Sequence, residues 1–139
     1  MCSGKIYYEL YHARTRKSKH GKSAKERSDA TKITIVRLEQ LAPFPMDRVA
    51  SAINNYPNAQ VVWVQEEPKN QGAWTYIQPR FQTSMKYFYR GGAGNDGDDK
   101  TLPVIRYVGR EVSATTAGGS FREHVKEQRD IIERALELE

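Results

Sequence analysis

The run Val61-Val62-Trp63-Val64 restricts this chain more than any other stretch of it. A strand with one face in water alternates apolar and polar residues, because successive side chains point to opposite faces. A run with no polar position must be covered on both faces, the mark of a parallel sheet flanked by helices. Ile33-Thr34-Ile35-Val36-Arg37-Leu38 is β-branched, precedes Pro43 and predicts another strand. Val104-Ile105-Arg106-Tyr107-Val108, bounded by Pro103 and Gly109, predicts a third.

Helical spacing falls between these strands. Ile6, Tyr7, Leu10 and Tyr11 predict a helix near the start, and Met46, Val49, Ala50 and Ile53 another behind Pro45, a residue tolerated at a helix start. Trp74, Ile77, Phe81, Met85 and Phe88 predict a third, in which Pro79 must occupy the first turn or cause a kink. Ser120 followed by Glu123 is a capping box, and Phe121, Val125, Ile132 and Leu136 line one face of the helix behind it. Alternation of this kind argues for a three-layer α/β/α domain with a mostly parallel sheet. At 139 residues the chain has room for one such domain. A parallel unit has a strand before its first helix, and here only Met1-Cys2-Ser3-Gly4 precedes it. A truncated first strand is therefore expected, leaving a sheet that is incomplete or completed by a neighbour.

The net charge of +5 invites a nucleic-acid reading, but its distribution argues against one. Between His12 and Lys32 stand eight basic residues against two acidic, and the rest of the chain is close to neutral. That stretch has no interleaved aromatics for stacking on bases, and residues 18–31 read as a long, solvated, mobile loop. Residues 90–100, rich in Gly and Asp, read as a second. The lone cysteine, Cys2, excludes an intrachain disulfide and fits a reducing compartment. No apolar run approaches the roughly 18–20 residues of a membrane span. The residues after Met1 do not make a signal peptide.

In a parallel sheet the segments leaving the strands emerge together at the carboxyl edge, where such folds bind ligands and partners. Here they are Cys2-Ser3-Gly4-Lys5, the stretch from Glu39 to Pro45, the stretch from Gln65 to Trp74, and Gly109-Arg110-Glu111. Glu66 and Glu67 should point to opposite sides, so they suit loop fixation better than acid–base work on one bond. Ser3-Gly4 could offer amides to an anion, but the motif is too short to be specific. The Gly91-Gly92-Ala93-Gly94 stretch lacks the Lys-Ser/Thr ending of a phosphate loop. The Asn95 to Asp99 stretch lacks the alternation and terminal Glu of an EF-hand. His12, His20 and His124 form no metal-binding spacing. The residues by themselves spell out no active site.

Taken together, the four segments resemble a known family. Cys2-Ser3-Gly4-Lys5 with Tyr7-Tyr8 resembles the opening of the C-terminal domain of the 2-oxoglutarate dehydrogenase decarboxylating component. Arg37-Leu38-Glu39-Gln40-Leu41-Ala42-Pro43-Phe44-Pro45 resembles its second motif. Tyr56-Pro57-Asn58-Ala59, Trp63 and Gln65-Glu66-Glu67-Pro68-Lys69-Asn70-Gln71-Gly72-Ala73-Trp74 resemble its third, which is long and specific. Pro79-Arg80, Tyr107-Val108-Gly109-Arg110, Ala117-Gly118 and His124 fall where the family has similar residues. The resemblance covers the chain except for the two long loops, which exceed those of typical members.

The resemblance implies a transketolase C-terminal-domain fold, with five strands of which one edge strand is antiparallel. The antiparallel strand and most of its successor would lie upstream of Met1. The visible strands would run in the spatial order second, first, third, fourth. It implies a parent that decarboxylates 2-oxoglutarate on thiamine diphosphate and Mg²⁺ and passes the succinyl group to the lipoyl arm of a dihydrolipoyl succinyltransferase in the tricarboxylic acid cycle. No catalytic, cofactor or metal residue of the family maps onto this chain, which alone should be inactive. Its implied role is structural: contact with the remaining domains of the parent and with a homodimer partner, through Glu39, Gln40, Phe44, Glu66, Glu67, Asn70, Gln71 and Trp74. The location implied is the mitochondrial matrix in a eukaryote and the cytoplasm in a bacterium. Two alternatives are a regulatory module for a nucleotide such as acetyl-CoA or AMP, and the paralogous 2-oxoadipate enzyme. A membrane partner is not expected, and nucleic acid ranks last.

Overall fold

The computed structural model describes residues 1–20, 23–89, 102–115 and 119–137. In chain order these hold α1 (Ile6–His20), α2 (Ala24–Thr31), α3 (Met46–Asn54), β1 (Val61–Pro68), α4 (Trp74–Phe88), β2 (Ile105–Arg110) and α5 (Phe121–Ala135), a mixed α/β arrangement. β1 and β2 pair in parallel, Val61 opposite Ile105 through Val64 opposite Val108, and the register then shifts before Pro68 meets Arg110.

The first residues pair as well. Cys2 bridges Arg37 on one side and Val64 on the other, both in parallel. The Cys2 amide donates to Val36 O at 3.0 Å, and the Leu38 amide to Cys2 O at 2.8 Å. On the opposite side the Val64 amide donates to Met1 O at 2.8 Å, and the Met1 ammonium to Val62 O at 2.5 Å. The order across the sheet is therefore the extended stretch around Arg37, then Met1–Cys2, then β1, then β2, the order that the resemblance implies.

The expected strand Ile33–Leu38 is reduced to this single bridge at Arg37. Its partner is Met1–Cys2, and directly behind that pair Gly4, at φ +72°, turns the chain away into α1, which ends the pairing on that side.

The apolar run of β1 is covered on both faces. Val61 and Trp63 pack with Val49, Ala50 and Ile53 of α3, with Ile77, Phe81 and Met85 of α4, and with Ile105. Val64 packs with Cys2, Val108, Ile6 and Leu10 of α1 and Ile131 of α5, with Leu136 beside it. Each fully buried aliphatic or aromatic side chain of these two clusters contributes about 1.5–3 kcal/mol relative to exposure.

Two further expectations need correction and two are narrowed. Residues 18–31 are largely helical rather than a loop: α1 runs on through His20, and Ser23 caps α2 by accepting from the Glu26 amide at 3.1 Å. A buried Ala30 anchors α2, so one small apolar residue and a cap outweigh the charge density. The third strand runs Ile105–Arg110, through Gly109 rather than stopping before it. Pro79 lies in the second turn of α4, inside the helix, so the first-turn alternative falls away. On α5, Phe121, Val125, Ile132 and Leu136 do line one side, as expected, but of these only Leu136 is fully buried, with Ile131 beside it, and Phe121 and Val125 are exposed. The Gly/Asp-rich loop 90–100 lies outside the described residues, as does the Ala117-Gly118 pair.

In a parallel ladder the amide and carbonyl of one residue face the same edge. The amides of Val36 and Val62 therefore face the slot that Met1–Cys2 only partly fills. They should exchange with deuterium faster than those of Leu38 and Val64, which donate to Cys2 O and Met1 O. Amide-resolved exchange by NMR checks this, and equal protection at all four would contradict the pairing.

Candidate functional site

All four strand-exit segments meet at the carboxyl edge, and the side chain that organises the longest of them, from Gln65 to Trp74, is Gln65 itself. A polar residue ends the apolar run of β1 and is only 4% exposed. Its amide nitrogen donates to the carbonyls of Glu67 at 3.2 Å, Pro68 at 3.1 Å and Gln71 at 2.8 Å. Its oxygen accepts from Trp63 Nε1 at 3.0 Å and from the Trp74 amide at 2.9 Å. One side chain thus closes the loop from strand end to helix start. Gly72 completes the turn at φ +63°, where a Cβ would stand 3.0 Å from Glu67 Cβ and 3.1 Å from Gln65 Nε2.

The loop is held from both sides. The Asn70 side chain donates to Ser113 O at 2.9 Å and accepts from the Ser113 amide at 3.1 Å. Gln71 Nε2 donates to Ser113 O at 3.2 Å and Thr115 O at 3.1 Å. Trp74, half-buried, lies against Tyr107 with ring centroids 5.2 Å apart. The Tyr107 hydroxyl donates toward Arg110 O at 2.8 Å, folding the ring over Gly109. A Cβ on Gly109 would stand 2.2 Å from that hydroxyl and 3.0 Å from Gln65 O, so a larger residue here would push the Tyr107 ring from its place. Burial, reinforced by the Glu111 carboxylate, pushes the Tyr107 phenol up to about 12.

Glu66 and Glu67 diverge, as neighbours leaving a strand should. Glu66 turns toward α1 and α5, where Lys5 Nζ lies 3.2 Å and Gln128 Nε2 2.9 Å from its Oε1. Lys5 also pairs with Glu9 at 2.6 Å, and Gln128 donates to Glu9 at 3.0 Å. Hydrogen bonds to Glu9 and then to Glu66 raise the Lys5 ammonium above its ordinary range. The side chain of Glu67 is exposed.

At the neighbouring segment, Glu39 accepts from Arg37 Nε at 2.5 Å and from the Gly4 amide at 3.1 Å, and these two bonds hold its carboxyl below the usual carboxylate range. The Gly4 amide is thus taken by the chain's own carboxylate rather than left to an outside anion. Arg37 lies 5.1 Å from the ring centroids of both Tyr7 and Tyr8. Gln40 Nε2 donates to Pro43 O at 3.0 Å across a turn with a cis Ala42–Pro43 bond, while the rest of Gln40 is exposed. Phe44 is buried in the α3–α4 cluster.

The eight residues singled out from sequence therefore separate into two groups. Glu39, Gln40, Glu67 and Asn70 are exposed on the edge; Phe44, Glu66, Gln71 and Trp74 are spent holding it together. Gln65, Tyr107, Ser113 and Gln128, which sequence reasoning did not single out, carry much of the wiring. For Gln65 a signal exists: a polar residue continuing a doubly buried strand must find partners. Among the described residues no group of three or more His, Cys, Asp or Glu is placed to hold a metal ion. No helix there is long and apolar enough to cross a membrane.

Gln65→Leu keeps the volume but leaves the Trp63 indole N–H and three loop carbonyls without their partner. Loss of about 3 kcal/mol is expected, since each unsatisfied buried group costs about 1–3 kcal/mol; urea unfolding measures it, and a loss below 1 kcal/mol would contradict this role. Tyr107, with its phenol raised, stabilises the fold fully below the ordinary tyrosine pKa near 10, and loses that contribution as pH rises toward 12. In a spectrophotometric titration Tyr107→Phe should remove a late-titrating component, and it should flatten the loss of stability above about pH 10.

Residues 1–136 match the family model described as 2-oxoglutarate dehydrogenase C-terminal. Similar proteins include the 2-oxoglutarate dehydrogenase E1 component of Coxiella burnetii, 38% identical over 139 residues, covering 99% of this chain and 12% of that protein. The mitochondrial 2-oxoglutarate dehydrogenase of Schizosaccharomyces pombe is 39% identical over 137 residues, 98% of this chain and 11% of that protein. The E1 component of Rickettsia prowazekii is 39% identical over 137 residues, 98% of this chain and 12% of that protein. This chain thus spans about one eighth of the length of the curated relatives it matches. With motifs, strand order and whole-chain similarity in agreement, the chain belongs to the 2-oxoglutarate dehydrogenase C-terminal family.

Proposed function

We propose that this chain is the C-terminal structural and assembly domain of a 2-oxoglutarate dehydrogenase decarboxylating component, with a three-layer, transketolase C-terminal-like fold. The observation that carries the reading is the wiring of the carboxyl edge. Gly4 to Glu39, Lys5 to Glu66, and Asn70 to Ser113 tie the strand exits to one another, while Gln40 and Glu67 keep their outer atoms in solvent. A rigid edge with a few outward polar groups suits a contact surface. Glu39, Gln40, Glu67 and Asn70 would meet the remaining domains of the longer protein and its homodimer partner; Phe44, Glu66, Gln71 and Trp74 would hold the surface in shape.

In that longer protein the reaction is the oxidative decarboxylation of 2-oxoglutarate with succinyl transfer to the lipoyl groups of a dihydrolipoyl succinyltransferase. Thiamine diphosphate supplies the carbanion chemistry there and Mg²⁺ anchors it. The residues described here do not fit that group. Two carboxylates at the edge, Glu39 and Glu66, are already engaged by Arg37, Gly4, Lys5 and Gln128, and no metal-binding cluster stands beside them. No step is assigned to this chain, and its location follows that of the parent, mitochondrial matrix or bacterial cytoplasm.

The test uses the full-length enzyme. Gln40→Ala with Glu67→Arg should weaken dimerisation about tenfold or more and lower kcat, with KM for 2-oxoglutarate unchanged. The same pair should leave the melting temperature of the 139-residue chain unmoved, because both side chains are exposed. Unchanged dimerisation and turnover would overturn the contact role. Turnover of 2-oxoglutarate by the 139-residue chain with thiamine diphosphate and Mg²⁺ would overturn the structural role.

A further inference from the structure

α1 and α5 cover the same face of the sheet, and along their outer side they leave a groove of about 620 Å³. Its wall is apolar: Ala13 from α1, with Val125, Ile132 and Leu136 on the other side. Phe121 stands at its mouth 81% exposed, and Val125 is 41% exposed. Two large apolar side chains one turn apart, on a helix whose Ile131 is 1% exposed, form a stripe that is left uncovered among the described residues.

The rim is basic. Arg16 and Lys17 border the groove from α1 and Arg129 from α5, with Glu133 as the opposing charge. The other carboxylate of the lining, Glu9, is occupied by Lys5 and Gln128 and by that pairing closes one end. The surplus positive charge therefore surrounds an apolar floor.

We propose that the α1–α5 groove docks an acidic amphipathic helix of a partner polypeptide, whose apolar stripe lies on Phe121, Val125 and Ile132 and whose carboxylates meet Arg16, Lys17 and Arg129. Shape and charge select this occupant. A groove lined by two neighbouring helices, with apolar residues from both, accepts a third helix presenting apolar residues at 3,4 spacing. A second copy docking through the same face would bring basic rim onto basic rim, which costs affinity. A nucleic acid would find its phosphates matched by the rim but its bases facing aliphatic side chains rather than a stacking platform. The groove is distinct from the exposed carboxyl edge and adjoins it at Glu66, so the proposal stands whether or not that edge mediates assembly.

The probe is a fluorescently labelled, helix-stabilised peptide about four turns long, with Glu on its polar face and Leu and Phe on its apolar one. Binding to the 139-residue chain should be saturable, weaken with added salt, and shift NMR resonances of Ala13, Val125 and Ile132. Phe121→Ser, and Arg16→Glu with Arg129→Glu, should each weaken it roughly tenfold or more. All three positions are exposed, so unchanged melting curves separate lost binding from lost folding. No binding would overturn the proposal, as would equal binding of a Lys-for-Glu peptide or shifts confined to another surface. Dimerisation of the chain abolished by Phe121→Ser, or displacement of the peptide by duplex DNA, would assign the groove to the other occupant and overturn it equally.

Discussion

Five hydrogen bonds converge on the side chain of Gln65, and the loop from Gln65 to Trp74, the longest part of the carboxyl edge, depends on them. A primary amide is suited to this position because it both donates and accepts. The Gln65 oxygen satisfies the Trp63 indole, which lies in the α3–α4 core, and the first free amide of α4; the nitrogen satisfies three loop carbonyls. A carboxylate could not donate, and an aliphatic residue could do neither. Through Trp63 the loop is keyed to the core on one face of the sheet. Through the Trp74 amide it sets where α4 begins. The edge therefore inherits the rigidity of the interior.

The same economy governs the opposite side of β1. Cys2 is fully buried and pairs with two neighbours at once, so two residues of chain join the stretch around Arg37 to the body of the sheet. Immediately after it, Gly4 turns the chain at positive φ and gives its amide to Glu39. The second strand exit is thus fixed to the first by a carboxylate, and Arg37, resting on Tyr7 and Tyr8, holds that carboxylate ionised. The charges of Glu39 and Arg37 are thus satisfied within the chain, whereas Glu67 on the same edge stays in solvent.

What could be read from the sequence follows the range of the forces involved. Val61 to Val64 announced a strand covered on both faces, and the capping pair Ser120 and Glu123 announced α5, because both signals lie within a few residues. Ile33 to Leu38 has the propensity of a strand but pairs at one rung, since ladder length is set by a partner elsewhere in the chain. Residues 24–31 have the charge of a loop and the cap of a helix, and the burial of Ala30 decides between them. At the edge, the family motifs pointed to the correct loops but not to which side chains face outward. Phe44 turns into the core and Glu67 away from it, a distinction made by packing partners far along the chain. Ser113 and Gln128 were invisible for the same reason: their partners, Asn70 and Glu66, are some forty and sixty residues away.

Glu66 and Glu67 show how one strand end can serve two surfaces. The alternation that buries Trp63 on one face and Val64 on the other continues into the two glutamates. Glu66 reaches Lys5, just before α1, and Gln128 of α5, the two residues that also hold Glu9 at the end of the α1–α5 groove. Glu67 remains on the carboxyl edge, and its backbone oxygen accepts from Gln65. A displacement of α5 would therefore be felt at Glu66 and, one peptide unit later, in the loop that Gln65 holds. The two sides of the sheet thus share one short stretch of backbone, Glu66 and Glu67, at the end of β1.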